Sequence, residues 1–450
     1  MLKRLLIPLL ALFFAASAAS AQQGYQDDFF SRNSPTAFRY NPAMLGETGF
    51  LAVSNVAYRS RANYGARNFL FEYGDKVVTA LHPSVDADKF LNGLKPLSNT
   101  LQSGYLNLFS YGIRKENVLH TFELNLVEIG SSSVAKDIFE IAKTGFQKGQ
   151  YTMGNTRISS QAYTELAYGY SRRLSDIVSI GARAKLLLGL ASFDTGIKRF
   201  TVDVESEDRK ADIAVDFEMT GRKRDINEAR WILTFDPKQL VRKPRGLSGL
   251  GMAFDLGILI QPNEYLTLSA SANNLGLLWW VYNHGADLSA SFSLASLINC
   301  IQEPTTDSIM EAVLDIGNDL LESAKYQKMD KSLRARAIPI GFDLGIKYAM
   351  PFYDRLSVGL TGNYTLYNVL SDWEVRLGLT ITPWNWFEFT GSYGYGTYKS
   401  SYSFAAAFKF HHFRLSFTSQ DCFGGKLPGT PFHLWEFNRY LSFALTYMLD

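Results

Sequence analysis

Residues 249–276 limit what this chain can fold into more than any other stretch, because they form two long alternating runs joined by a turn. In the first run, apolar side chains recur at every second position: Leu250, Met252, Phe254, Leu256, Ile258 and Ile260. Pro262 and Asn263 interrupt the pattern as turn residues do, and a second alternating run begins at Leu266. A period of two predicts β-strands with one apolar face.

Strand length and the composition of the polar face favour a membrane barrel over a soluble sandwich. A spanning strand needs about 9 to 11 residues, whereas globular strands average about 5 to 6. In Val178–Leu190 the even-numbered residues are apolar, and Arg183 and Lys185 lie on the opposite face. Two inward cations are costly in a dry core, but a hydrated lumen accepts them.

Fourteen such runs follow one another along the chain, and the connections between them alternate in length. Links after even-numbered runs are very short, and every long insertion follows an odd-numbered run. This asymmetry is typical of outer-membrane barrels, whose periplasmic turns are short and whose external loops are long. The sequence therefore predicts an all-β protein, a closed antiparallel transmembrane β-barrel of about 14 strands, located in the outer membrane with both termini in the periplasm.

The predicted domain organisation begins with a signal peptide. Lys3 and Arg4 precede an apolar run, and small residues at 19–21 offer a cleavage site, so residues 1–21 are expected to be removed. Residues 22–48 form an N-terminal periplasmic or plug segment, and residues 49–450 form the barrel. Large loop insertions are predicted near 59–103, 129–160, 191–248, 277–337 and 420–436.

Two of these insertions are predicted to contain helices, at Val134–Gly145 and Ile309–Leu320, because apolar residues there recur at helical spacing. The alternating run 211–219 predicts either a hairpin projecting from its loop or two extra wall strands. Cys300 and Cys422 are compatible with a disulfide or with two free thiols, and two cysteines alone do not decide between them.

Aromatic residues near the predicted strand ends suggest the girdles that flank a barrel's apolar band. Trp384, Trp386, Phe352 and Tyr353 cluster near short turns, and Trp279 and Trp280 follow a strand on the opposite side. Aromatic strand ends are also ordinary in soluble β proteins.

No catalytic or cofactor motif accompanies the strands. The chain has no phosphate-binding glycine loop, no Gly-x-Ser-x-Gly elbow and no His-Glu-x-x-His helix, so neither an enzyme nor a cofactor is predicted. Loss of residues 1–21 would leave 43 basic and 43 acidic residues, and no basic run suggests nucleic acid. The charged residues predicted to face the lumen are Arg183, Lys185, Asp255, Asp343, Lys347, Glu374, Arg376, Glu388 and Lys409.

Several short motifs resemble a known superfamily. Asn41-Pro42-Ala43 ahead of the first strand resembles the Asn-Pro-Ala element of FadL-type fatty-acid transporters and PorV-like outer-membrane proteins. The stretches Tyr170–Leu190 and Gly251–Gly276 are similar to less characterised Bacteroidetes barrels of that superfamily. The resemblance implies a fourteen-stranded barrel whose N-terminal segment partly plugs the lumen, with Asn41, Pro42 and Ala43 in that plug.

Two functions are consistent with these features. The first is a FadL-like channel or transporter for small apolar ligands, which would enter among the external loops and leave past the plug. The second is a PorV-like accessory protein that works with a secretion-system or surface-protein partner and transports nothing. Both place the chain in contact with outer-membrane lipid.

Overall fold

A computed structural model describes residues 26–32, 34–53, 55–74, 76–145, 151, 153–203, 210–220, 247–281, 283–293, 325–327, 333–367, 370–420 and 439–449. Several predicted features lie outside these residues. They are the signal peptide 1–21, the helix Ile309–Leu320, both cysteines and most of the insertion 420–436.

The chain consists almost entirely of β-strands, preceded and interrupted by short helices. In the N-terminal quarter the elements are α1 (Gln26–Phe30), a 3-10 turn (Ala37–Arg39), β1 (Gly49–Ala52), β2 (Asn55–Ala62), a 3-10 turn (Ala66–Asn68), β3 (Leu70–Tyr73), β4 (Lys76–Thr79) and α2 (Ala87–Asn92). The next elements are β5 (Leu97–Lys115), β6 (Val118–Ala135), α3 (Lys136–Thr144), β7 (Arg157–Arg173), β8 (Val178–Asp203), β9 (Lys210–Thr220), β10 (Gly249–Ile260) and β11 (Leu266–Trp280). The remaining strands are β12 (Asn283–Ser293), β13 (Lys325–Gln327), β14 (Arg334–Ala337), β15 (Ile340–Met350), β16 (Tyr353–Tyr367), β17 (Leu370–Trp384), β18 (Phe387–Gly396), β19 (Lys399–Phe410), β20 (Phe413–Gln420) and β21 (Arg439–Leu449).

Antiparallel pairing carries the sheet around a full circle. From β5 each strand pairs with the next wall strand through β8, β10, β11, β15 and onward to β21. The circle closes because β1 and β2 both pair with β21 on one side and with β5 on the other. Counting β1 with β2 and β14 with β15 as single wall positions gives fourteen strands, which confirms the predicted closed barrel.

Side chains alternate between the two faces of this wall as the strand period requires. On β10, Leu250, Met252 and Phe254 are about half exposed on the outer face, and the intervening residues are buried. On β8 the even-numbered residues 180–186 point outward, whereas Arg183 and Lys185 are 3% exposed. The outer surface is therefore apolar, and the lumen holds the polar and charged side chains.

Several strands run further than alternation in the sequence indicated. β5 begins at Leu97, β6 ends at Ala135 and β8 continues to Asp203, so three insertions are shorter than their predicted bounds. Most residues at 98–103 and 130–133 are polar, so apolar residues do not recur there at every second position. Backbone pairing nevertheless continues through both stretches. The alternating run 211–219 is the projecting hairpin, since β9 pairs with the end of β8 and then with β12.

The helix predicted at Val134–Gly145 is present, but it begins later, as α3. It lies in a small cap on the long-loop side, where Phe139 packs with Phe69 and with Phe90 of α2. The cap gives this side of the barrel an apolar core of its own.

The prediction that Trp279 and Trp280 both belong to a girdle is wrong for Trp280. Adjacent residues of a strand face opposite sides, and Trp280 is fully buried in the lumen over the register pair Gly189 and Gly249. Near the short turns, Trp384 and Trp386 are about half exposed and stack with ring centroids 5.3 Å apart.

Candidate functional site

The candidate site is a loop of chain that dips into the lumen, here called the lumen segment (residues 28–32 and 34–48). Two of its residues, Arg32 and Glu47, lie at the mouth formed by the short turns and line a pocket of about 550 Å³ there. Within the segment, Phe29, Phe38 and Asn41 are at most 1% exposed. None of its described residues pairs with a wall strand, so side chains and close packing hold it in place.

Asn41 and Pro42 occupy a notch in the wall made by two facing glycines. Gly181 of β8 and Gly257 of β10 are register partners, and a Cβ at either position would overlap the Asn41 amide or the Pro42 carbonyl. Glycine is required here because the backbone of the segment approaches the wall so closely.

Hydrogen bonds fix the same turn to β10 and β11. The Asn41 Nδ2 donates to Ile258 O (2.9 Å), to Ser269 Oγ (2.7 Å) and to Ala270 O (3.1 Å). Its Oδ1 accepts from the Ala43 backbone N–H at 2.8 Å, and the Ser171 hydroxyl donates to the Pro42 carbonyl. All three residues predicted for the plug are thus buried inside the barrel, where Asn41 uses both ends of its amide.

A second notch receives the two phenylalanines of α1. A Cβ on Gly345 would lie 2.7 Å from the Phe29 ring, and one on Gly378 would lie 2.6 Å from the Phe30 ring. Gly359, the register partner of Gly378, contacts Phe30 in the same way. The wall of β15–β17 is therefore shaped to the aromatic end of the segment.

Arg39 connects the segment to a buried ion network on β6–β10. Its guanidinium pairs with Glu123 Oε1 at 2.7 Å, and Glu123 also pairs with Arg183. Arg183 and Lys185 reach Asp255 at 2.8 and 2.7 Å. Glu165 completes the set through Lys185 at 3.7 Å. Three carboxylates balance three cations, which is the condition for burying such charges.

Asp255 has a second role, which accounts for the asparagine at position 274 of the partner strand. The β10–β11 register shifts beside it, and Asn274 on the partner strand adopts a positive φ of 60°. Asn tolerates this conformation better than most residues. The Asp255 carboxylate accepts the Asn274 backbone N–H at 2.7 Å, and the Asn274 side chain accepts from Lys185 at 2.6 Å.

Other predicted lumen charges fall into a second cluster that crosses the barrel. Arg61 of β2 reaches over the lumen to Glu374 (2.8 Å) and Asp372 (3.5 Å) of β17. Arg376 pairs with Glu374 at 3.0 Å and donates to Ser392 and Ser401. This cluster ties opposite walls together on the long-loop side of the lumen segment.

Of the remaining predicted charges, Lys347 and Glu388 bind the start of the lumen segment, Asp343 lies beside the asparagine that contacts Tyr40, and Lys409 is exposed. Lys347 donates to the carbonyls of Phe29 and Ser31, both at 3.1 Å. Glu388 accepts from the Ser31 hydroxyl (2.5 Å) and pairs with Arg414 (3.0 Å). Asp343 accepts from two asparagine side chains, at 2.7 and 2.9 Å. Lys409 differs from the rest, since it lies exposed in the mouth pocket.

An apolar layer lies in the lumen between the charge clusters and the long loops. It includes Tyr105, Tyr163, Leu187, Trp280 and Tyr367, all at most 2% exposed. Gln161 of β7 spans this layer and donates to the Ala337 carbonyl at 3.0 Å. Above the segment, aromatic side chains therefore fill much of the lumen.

Sequence reasoning missed Arg39, Glu123, Glu165 and the two phenylalanines of α1. Glu123 and Glu165 lie on the polar face of alternating strands. The same alternation that places Arg183 in the lumen could therefore have placed these two carboxylates there. Arg39, Phe29 and Phe30 lie in a stretch without a period and gave no such signal.

The comparisons with known proteins identify the family. The model of a family of unknown function, DUF5723, matches residues 42–419. The chain belongs to this family. No curated protein sequence matches it.

Several solved barrels are similar to this DUF5723 protein over nearly their whole length. The Ralstonia pickettii toluene transporter TbuX is 9% identical, with a TM-score of 0.45 over 93% of this chain and 94% of that one. A Pseudomonas aeruginosa FadL homologue is 12% identical, with a TM-score of 0.44 over 93% and 95%. The CymD monoaromatic hydrocarbon channel is 9% identical, with a TM-score of 0.44 over 93% of each chain.

Within the described ranges, no helix of this DUF5723 protein is long and apolar enough to cross a membrane. The same residues contain no cluster of His, Cys, Asp and Glu suited to a metal ion.

Proposed function

We propose that this DUF5723 protein is an outer-membrane channel for small apolar ligands, and that its lumen segment acts as a removable plug. The observation that carries the proposal is how the segment is attached. None of the described residues of the segment pairs with a wall strand, and the segment is held by side-chain hydrogen bonds, one ion network and two glycine notches. Such contacts break and re-form without unfolding the wall.

The outer surface supports a membrane location. Large apolar side chains around the outer wall are about half exposed, among them Leu256 (51%), Leu344 (64%), Leu377 (53%) and Phe443 (47%). Soluble monomers rarely expose apolar patches larger than a few hundred Å². A closed barrel is also the one β-architecture that satisfies every backbone group in lipid. We infer that the short-turn mouth and both termini face the periplasm, as in other outer-membrane barrels.

The apolar layer supports the choice of ligand. On the long-loop side of the lumen segment, a ligand would meet the aromatic side chains of Tyr163, Trp280 and Tyr367. Ligand sites are mostly apolar with a few placed polar groups, and Gln161 supplies such a group in this layer.

Deletion of Gln22–Met44 tests the plug. We expect a folded barrel that lets small solutes leak in liposome swelling assays, because the deletion empties the short-turn half of the lumen. The barrel's heat-dependent migration on gels reports whether it has folded. A folded deletion variant that conducts no more than the intact protein would rule out the plug.

The PorV-like alternative, a non-transporting partner protein, makes different predictions. It expects a secretion subunit or surface protein to copurify with the barrel from native membranes, and it expects the plug deletion to impair that association without changing permeability. Purification of the intact barrel from native membranes, followed by identification of bound lipid-like molecules and proteins, separates the two functions.

A further inference from the structure

The lumen segment is fastened unevenly around the barrel. Its notches and most of its hydrogen bonds lie against β8–β11 and β15–β17, through Asn41, Tyr40, Phe29 and Phe30. Against β18–β21 the polar contacts of the segment are grouped around Glu388. This carboxylate accepts a hydrogen bond from Ser31 and pairs with Arg414. The β18–β21 side is therefore where the segment can leave the wall at least cost.

A crevice already separates the segment from the wall on that side. It has a volume of about 40 Å³, and Asp28, Thr36 and Arg39 of the segment line one face. The wall strands contribute small side chains to the other face: Thr390, Ala405, Ala407, Ser416, Thr418 and Ser442. A water molecule needs about 10–15 Å³ measured in this way, so the crevice admits water even with the segment docked.

A buried polar group marks the crevice as a place for a ligand's hydrogen bond. Asn55 of β2 lines it and is 3% exposed. Its Oδ1 accepts from the Leu445 backbone N–H at 2.9 Å, whereas its Nδ2 has no acceptor among the described residues. An unsatisfied buried donor costs about 1–3 kcal/mol, and a passing molecule with an acceptor would recover part of that cost.

We propose that solutes pass the lumen segment along the β18–β21 wall, and that this route accepts small molecules carrying hydrogen-bonding groups in addition to apolar ligands. Methyl and hydroxyl groups make up much of the lining, and its two charged wall residues, Glu388 and Arg414, pair with each other. The proposal rests on the segment being movable, as the proposed function requires, but it adds the side of the barrel and the chemical class.

The test fills the crevice in a background where the segment has been loosened. Gly257→Ala disturbs the opposite notch and should raise both KCl current in planar bilayers and glycerol entry in liposome swelling. Adding Ala405→Leu, or independently Ser442→Leu, should lower both signals several-fold. Ala182→Leu, which adds the same bulk to the exposed outer face of β8, is the matched control.

The outcomes separate the route from the plug. If Gly257→Ala and the plug deletion both conduct but Ala405→Leu and Ser442→Leu leave conduction unchanged, the route is wrong and the plug stands. If neither loosened protein conducts, the movable plug fails and the route fails with it. Two variants on different strands guard against a single substitution that misfolds, and gel migration reports folding for each.

Discussion

At the scale of single residues, the facing pair Gly181 and Gly257 controls whether the lumen segment can dock. Gly257→Ala would force the Asn41 amide out of the notch, since the new Cβ overlaps it. Overpacking of this kind typically costs about 1–3 kcal/mol. We expect faster trypsin cleavage within residues 28–48 and a measurable leak, while the barrel itself keeps its thermal stability.

Gly362→Ala provides the control for that substitution. Gly362 lies on β16, and a Cβ there meets nothing within 4 Å. The variant should match the wild type in both cleavage and leak. Equal behaviour of the two alanine variants would show that the notch does not hold the segment.

Arg39 holds the lumen segment to the wall by an ion pair, whereas the glycine notch holds it by close packing. Arg39→Ala removes one cation from Glu123 but leaves Arg183 in place, so the cost should lie below the roughly 3–5 kcal/mol of breaking an isolated buried pair. We expect increased protease access to the segment, with little change for Arg172→Ala on the exposed outer face. In a double-mutant cycle with Glu123→Gln, additive effects would contradict the direct pairing.

At the scale of elements, α1 brings a titratable group into the lumen. Burial raises the pKa of the Asp28 carboxyl above its ordinary value, although the Ser34 hydrogen bond and the charges of Arg39 and Arg414 act in the opposite direction. The docked state therefore binds this proton more tightly than the undocked state. Docking is strongest below the ordinary carboxyl pKa and weakens as pH rises through the raised value.

The leak should accordingly increase as pH rises across that window, and Asp28→Asn should flatten the dependence, because the amide keeps its hydrogen-bonding capacity without titrating. Glu388 and Lys347 also face α1, so Lys347→Met tests whether a neighbouring group is responsible. A pH profile that Asp28→Asn leaves unchanged would assign the dependence elsewhere.

At the scale of the whole molecule, the closed wall predicts which positions meet lipid. In a variant with Cys300 and Cys422 replaced by serine, a lipid-soluble thiol reagent should label Ala184→Cys and spare Arg183→Cys. Leu360 and Thr361 of β16 offer a second pair that avoids the ion network, being 44% and 0% exposed. Labelling of the inward members and protection of the outward members would contradict the orientation of the wall.

The sequence by itself determined the barrel, the number of wall strands and the face on which Arg183 and Asp255 lie. These properties are local, since a period of two assigns each residue to a face and short turns join neighbours in the chain. The sequence left the projecting hairpin at β9 open and assigned the extra length of β5 and β8 to loops, because alternation fades where a strand leaves an apolar environment while its backbone pairing continues.

The tertiary structure alone decided how the lumen is filled. Arg39 and Glu123 are 84 residues apart, and Ser31 and Glu388 are 357 apart, so no pattern within one strand brings them together. The glycine notches depend on register between strands and on a segment that has no period of its own. Closing the barrel sets those distances, and the packing inside it follows from three-dimensional complementarity that a one-dimensional pattern does not contain.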